Sequence, residues 1–234
     1  GGMGDSAENT SDVVANEPTP AAADSNERLS PEESDALGEI ANISMGTAAT
    51  TLSVLVNNRV EITTPKLSYV TLNDLKEQNP APCVFIYISY RTGLEGKNIL
   101  VLKEHDVKVI TDLMMGGDGT NTDAELTDLH LSAISEAMNQ MMGSAATSMS
   151  SMINEKVDIS PPSSTRVDLT NTMMEDGLHD MVGQTFVQVS FRMTIGDLVD
   201  SEIMQLYPFD FAKLIYTRFR STMEGGMEET AASE

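Results

Sequence analysis

The sequence predicts an α+β fold: an internally duplicated helix–strand–strands–helix unit, with a mainly antiparallel sheet packed against two long helices. Three observations predict it. A polar pattern occurs twice, 97 residues apart, first as Asp35, Glu39, Asn42 and Pro65, then as Ser132, Glu136, Asn139 and Pro162. Apolar residues at helical spacing surround both copies. After each copy, short apolar runs joined largely by turns read as strands, and strands joined that way pair antiparallel.

The duplication extends beyond the polar pattern. Between residues 35 and 65, 13 of 31 positions match the residue 97 further on. They are Ala36, Glu39, Asn42, Met45, Gly46, Ala48, Ala49, Thr50, Ser53, Asn57, Val60, Ile62 and Pro65. Apolar matches follow from packing alone. A repeated polar pair on a helix needs another reason.

Each element can be justified in order. Residues 1–28 hold almost nothing large and apolar, cannot offset the entropy of ordering, and are expected to be a disordered acidic segment. The opening Gly1-Gly2-Met3-Gly4 reads as a cloning remnant. Ser30, Pro31 and Glu33 form a helix start with a capping box. The helix is predicted from Pro31 to about Val56, with Leu37, Ile40, Ile43, Ala48, Leu52 and Leu55 as its apolar stripe and Asn57-Asn58 as its breaker. A strand follows at Val60–Ile62, ended by Pro65, with a second over Leu67–Val70. Asn73 to Pro82 reads as a polar loop. Val84–Tyr90 and Lys97–Lys103 pair across a turn at Thr92-Gly93. A helix over Glu104–Met115 stops at Gly116-Gly117-Asp118-Gly119. The second half repeats the order: a helix over about Thr127–Ile153, a strand at Val157–Ile159, a loop over 163–183, strands at Phe186–Met193 and Ser201–Leu206, and a helix over Phe209–Phe219. One domain is therefore expected over residues 29–222, with repeats of about 29–119 and 120–222. Residues 223–234 are expected to be a disordered acidic tail.

Composition narrows the function. The formal net charge is −22, from 36 acidic and 14 basic side chains. Removing both tails leaves about −13 on the middle of the chain, so the acidity belongs to the folded part too. Such a field repels a phosphate backbone, and no nucleic-acid partner is expected. No apolar run approaches the ~20 residues of a membrane span, so no direct membrane insertion is expected. The N-terminus is polar and does not read as a secretory signal. The single cysteine, Cys83, fits a reducing cytosol and reads as a small buried residue.

Positions i, i+4 and i+7 fall within about 40° of one another on a helix. Asp35, Glu39 and Asn42 therefore form one polar ridge, and Ser132, Glu136 and Asn139 its counterpart. Gly46-Thr47-Ala48-Ala49 and Gly143-Ser144-Ala145-Ala146 follow as small residues that let the helices lie close to each other or to the sheet. No nucleophile–base pair accompanies the ridges. His105, His130 and His179 are scattered and read as surface residues. No His, Cys, Asp and Glu set has metal-ligand spacing, and the Gly-rich stretch at 116–119 follows a helix and not a strand. A carboxamide can still hold a water by donating and accepting hydrogen bonds. A water so held can attack a phosphoryl group in line, as a Gln arranges in GTPases. A neighbouring carboxylate can dock onto a cation of the molecule carrying the phosphate. The substrate on this reading is a phosphorylated protein that brings its own metal.

The doubled [Asp/Ser]-x3-Glu-x2-Asn-x22-Pro pattern resembles that of the CheC/CheX/FliY family of bacterial chemotaxis phosphatases. A closer match, to the flagellar-switch members, is carried by Glu39-Ile-Ala-Asn42-Ile-Ser-Met-Gly46, Leu113-Met-Met-Gly-Gly-Asp-Gly119, Glu136-Ala-Met-Asn-Gln-Met-Met-Gly143 and Ile203-Met-Gln-Leu-Tyr-Pro208. It covers roughly residues 30–220. The resemblance implies a CheC-like fold and hydrolysis of the aspartyl phosphate on the response regulator CheY. It implies that Glu39 and Glu136 pair with a CheY lysine and that Asn42 and Asn139 place the attacking water. Asp35, Pro65, Ser132 and Pro162 are implied as supporting positions. It further implies no cofactor or metal of the chain's own, the Mg²⁺ being carried by CheY. In longer family members, flagellar switch proteins are partners and the location is the cytoplasmic face of the flagellar basal body. Those members also carry an amphipathic N-terminal peptide that binds phosphorylated CheY, and a C-terminal FliN-like module. Residues 1–28 show no apolar anchors for the former, and the chain is expected to be the middle domain. The competing expectation is a non-catalytic scaffold that docks CheY in the switch complex. The 16 methionines read as helix-core filler, with Met45 and Met142 the first candidates for any docking surface.

Overall fold

Ser30 opens the fold as its capping box predicts. Its side chain accepts a hydrogen bond from the Glu33 amide, and the Glu33 carboxylate accepts one from the Ser30 amide at 2.9 Å. The computed structural model describes residues 27–171 and 178–231, with side chains as far as residue 226. Helix α1, Pro31–Val56, ends on Asn57 in the left-handed region, φ 48°. Strand β1 follows at Val60–Thr71, then α2 at Leu72–Gln78, β2 at Cys83–Thr92, β3 at Gly96–Lys103 and α3 at Glu104–Met114. The second half comprises α4 at Asp128–Ile153, β4 at Asp158–Ile159, β5 at Ser163–Val167, a 3₁₀ turn at His179–Met181, β6 at Thr185–Ile195, β7 at Val199–Tyr207 and α5 at Phe209–Ala231. The expected fold class is the one observed.

Every strand pair is antiparallel, and the sheet runs β1-β6-β7-β3-β2-β4, with β5 also on β2. The repeats exchange strands. β1 of the first lies on β6 of the second, while β4 and β5 of the second lie on β2 of the first. The two halves meet at β3 and β7, where Ile99 faces Leu206 and Val101 faces Met204. Neither half closes its own sheet.

The main core lies between one sheet face and the helices, and includes Leu37, Met45, Leu52, Ile134, Met138 and Phe191. Met45 and Met142 are fully buried, so they fill the core and offer no docking surface. The other sheet face is covered as well, because Leu72 and Leu75 of α2 join Cys83, Phe85, Val167, Leu169 and Met181 in a second core. β2 serves both, with Val84, Ile86 and Ile88 on one face and Cys83 and Phe85 on the other, as strict alternation requires. Cys83 is buried there, with its Sγ 3.7 Å from the Val167 carbonyl.

Several expectations are corrected. The loop over 73–82 contains α2, started by a capping box in which the Thr71 side chain receives the Asp74 amide. Two buried leucines hold that helix down. The loop over 163–183 contains β5, which completes the edge of β2. Pro65 does not end its strand. β1 is an edge strand, the missing N–H falls at a bulge between Thr63 and Lys66, and Thr64 turns left-handed at φ 51° to absorb it. Ile43 is 41% exposed and lies outside the apolar stripe. The tail expected from residue 223 is the end of α5, which runs on to Ala231 and carries an i,i+4 Arg220–Glu224 pair at 2.8 Å. The disorder expected for 1–28 falls mostly on residues 1–26, outside the described residues. Arg28 stacks over Tyr69 at 4.8 Å, and Glu27 lies 3.7 Å from Lys213.

Two of the repeated polar residues have a structural explanation. Ser53 Oγ donates to the Ala49 carbonyl and accepts the Val60 amide, both at 2.9 Å. Ser150 repeats this with Ala146 at 2.9 Å and Val157 at 2.8 Å. Each serine ties its helix to the following strand. Ser53→Ala or Ser150→Ala strands a backbone amide and should cost about 1–2 kcal/mol each in a urea titration. An unchanged midpoint would refute this.

Candidate active site

Both ridges face outward because of what their helices bury. α1 turns Leu37, Ile40, Ala41 and Met45 inward, leaving Asp35, Glu39 and Asn42 exposed. α4 buries Ile134, Ala137, Met138, Met141 and Met142, leaving Ser132 and Glu136 exposed and Asn139 half-buried. The two helices run antiparallel, bridged by Thr51 with Ser144 and, at 3.5 Å, by Thr47 with Ser148. Those pairs exchange repeat-equivalent positions, so the pseudo-twofold axis passes near Ala49 and Ala146. Asn42 and Asn139 each lie seven residues from that point, in opposite directions. At 1.5 Å per residue the two sites are about 20 Å apart along the helices.

The two sites are not identical. Ser132, Glu136, Asn139 and Pro162 line one hollow of about 510 Å³, walled also by Asp128, Ser135 and Ser163. Ser164 of β5 braces this wall, accepting from the Ser135 hydroxyl at 2.7 Å and donating to the Leu131 carbonyl at 2.7 Å. The equivalent brace in the first copy is apolar: a Cβ on Gly38 would meet the Leu67 side chain at 3.5 Å. Gln140 donates to Glu136 Oε1 at 2.9 Å. Its equivalent is the exposed Ile43, and Glu39 has no hydrogen-bond partner among the described residues. Pro162 is buried, whereas Pro65 is half-buried in β1.

Sequence reasoning missed Gln140, Ser135 and Ser164. They differ between the repeats, so the duplication carries no signal for them. Chemically, each ridge offers a Glu carboxylate and an Asn carboxamide, preceded one turn earlier by the exposed Asp35 in the first copy and the exposed Ser132 in the second. Among the described residues, no group of three or more His, Cys, Asp or Glu side chains is placed to hold a metal ion. His130 accepts the Thr127 amide at 3.0 Å and caps α4, while His105 and His179 lie at the starts of α3 and the 3₁₀ turn. No helix among the described residues is long and apolar enough to cross a membrane.

A duplicated α+β domain that presents one Glu/Asn pair on each of two crossing helices defines a class of protein, and the comparisons identify it. The model of the CheC-like family matches residues 32–69 and 129–166, the two stretches that carry the ridges. The chain belongs to this family, among the relatives of FliY. It is 46% identical over 206 residues to the flagellar motor switch phosphatase FliY of Bacillus subtilis (strain 168), which covers 88% of this chain and 54% of that protein. The chain thus spans about half the length of that relative. The crystal structure of Thermotoga maritima FliY is 38% identical, superimposes with a TM-score of 0.76, and covers 84% of this chain and all of that one. The FliM middle domain from H. pylori shares the fold at 16% identity, with a TM-score of 0.61 over 81% of this chain and 99% of that one.

Proposed function

We propose that this domain hydrolyses the aspartyl phosphate of the response regulator CheY, with Glu39 and Asn42 as one site and Glu136 and Asn139 as the other. The observation that supports the reading is the outward placement of both pairs at equivalent positions, with Glu39, Asn42 and Glu136 exposed and Asn139 half-buried, where neither fold nor core needs them. Each Glu docks on a CheY lysine, and each Asn orients a water for in-line attack on the phosphorus. The acyl phosphate bond to the aspartate breaks, and inorganic phosphate leaves. The Mg²⁺ that neutralises the phosphoryl oxygens is carried by CheY. The chain's own groups supply position and hydrogen bonds, and Asp35, Ser132, Pro65 and Pro162 shape the ridge and its edge. In the longer proteins of the family, this activity sits at the cytoplasmic face of the flagellar basal body beside other switch proteins.

The test is phosphate release from phosphorylated CheY with Mg²⁺ present. Acceleration over spontaneous decay is expected. Tight binding without acceleration would instead make the domain a scaffold. Glu39→Gln with Glu136→Gln should raise KM by roughly tenfold while changing kcat less, as loss of a ground-state contact does. An unaltered KM would remove the docking role.

A further inference from the structure

The 13 repeated positions divide by what the fold does with them. Ser53 and Ser150 bond the following strand, Asn57 and Asn154 close their helices with φ of 48° and 51°, and the matched Met and Ala at 45, 48 and 49 are buried. Glu39, Asn42 and Gly46, with their counterparts, have no such use. Glycine is the poorest residue but proline for a helix interior. Gly46 and Gly143 lie in the middle of 26-residue helices, neither has a positive φ, and a Cβ at either would meet nothing within 4 Å. Of the small residues expected to allow close packing, Thr47, Ser144 and the buried alanines do lie at the helix crossing or in the core, but the two glycines do not contribute and face open space.

We infer that Gly46 and Gly143 are clearance positions for the phosphorylated partner, an inference that rests on the phosphatase reading. The direction of helical side chains gives the reason. A side chain on a helix leans towards the N-terminus and covers the turn before its own Cα. The residue four positions after each Asn is the one whose side chain would cover that Asn. The carboxamide is short, so the phosphoryl group must come down almost to the helix surface, with one water between. A side chain longer than that of alanine at 46 or 143 stands as high as the carboxamide and holds the partner off, and even a methyl covers part of it. Glycine alone leaves Asn42 and Asn139 uncovered, and both copies keep it at the same step. These are specificity positions, since they set how closely a partner's surface can approach the helix.

The experiment uses the whole chain and phosphorylated CheY. Gly46→Leu with Gly143→Leu is expected to lower kcat/KM by roughly 10²-fold, the scale of a misplacement of about 1 Å. Gly46→Ala with Gly143→Ala should give a smaller loss and, because nothing obstructs the added carbon, an unfolding temperature equal to or above the parent's. Ser151→Leu, on an exposed face of α4 away from the ridge, should keep full activity. Lower activity with undiminished stability separates clearance from a packing role. Full activity in the leucine variant would overturn the inference and leave the phosphatase reading standing. An inert parent chain would overturn both.

Discussion

Asn42→Ala combined with Asn139→Ala is expected to abolish accelerated phosphate release from phosphorylated CheY, by a factor on the order of 10²–10³ for the loss of a positioned hydrogen-bonding group. Asn42 is exposed and Asn139 half-buried in its hollow, each on a helix whose other face forms the core, so the change removes chemistry with little loss of packing. The fold and its unfolding midpoint should be unaltered. Either single variant should keep part of the activity, because the sites lie about 20 Å apart on a shared scaffold and share no side chain. The two residual activities should differ. Glu136 is held by Gln140 in a defined hollow, whereas Glu39 projects beside the exposed Ile43. The measurement is phosphate release at matched concentrations of parent, single and double variants. Full activity in the double variant would exclude the carboxamide mechanism.

The second large effect is on stability. Phe191→Ala should cost about 3–5 kcal/mol, the usual loss for a fully buried aromatic residue. Phe191 is 1% exposed on β6, in the main core and opposite Ile203 of β7. A domain of this size is stable by ~5–15 kcal/mol in total, so the variant loses a large share. The exchanged strands add a sharper expectation. β6 belongs to the second repeat but pairs with β1 of the first, so the two repeats should unfold together in one transition. Urea unfolding followed by both circular dichroism and phosphatase activity tests this. Two separated transitions, with one site outliving the other, would refute a single cooperative unit.

The helices were legible because their signals are local. A Ser-Pro-x-Glu start, apolar residues at 3.6 spacing and an Asn stop lie within a few residues of what they govern. α1 and α4 therefore match their expected spans to within a residue. α2 shows the limit of the same method: Thr71-x-x-Asp74 is a capping signal, but seven mostly polar residues carry no stripe, and only the second core makes Leu72 and Leu75 worth burying. β5 has no apolar pattern at all and is a strand because β2 offers it an edge.

The candidate site divides in the same way. The sequence by itself determined that the chain is a duplication and that a Glu and an Asn recur on one face of each long helix. Periodicity fixes a helix face without reference to the rest of the molecule. Only the tertiary structure decided that both faces point to solvent and that the helices cross antiparallel with their sites at opposite ends. It also decided that the strands are exchanged between repeats and that one site sits in a hollow while the other stands open. Those features depend on contacts between residues dozens of positions apart. The energy of such contacts comes from water excluded between surfaces, which no local pattern records.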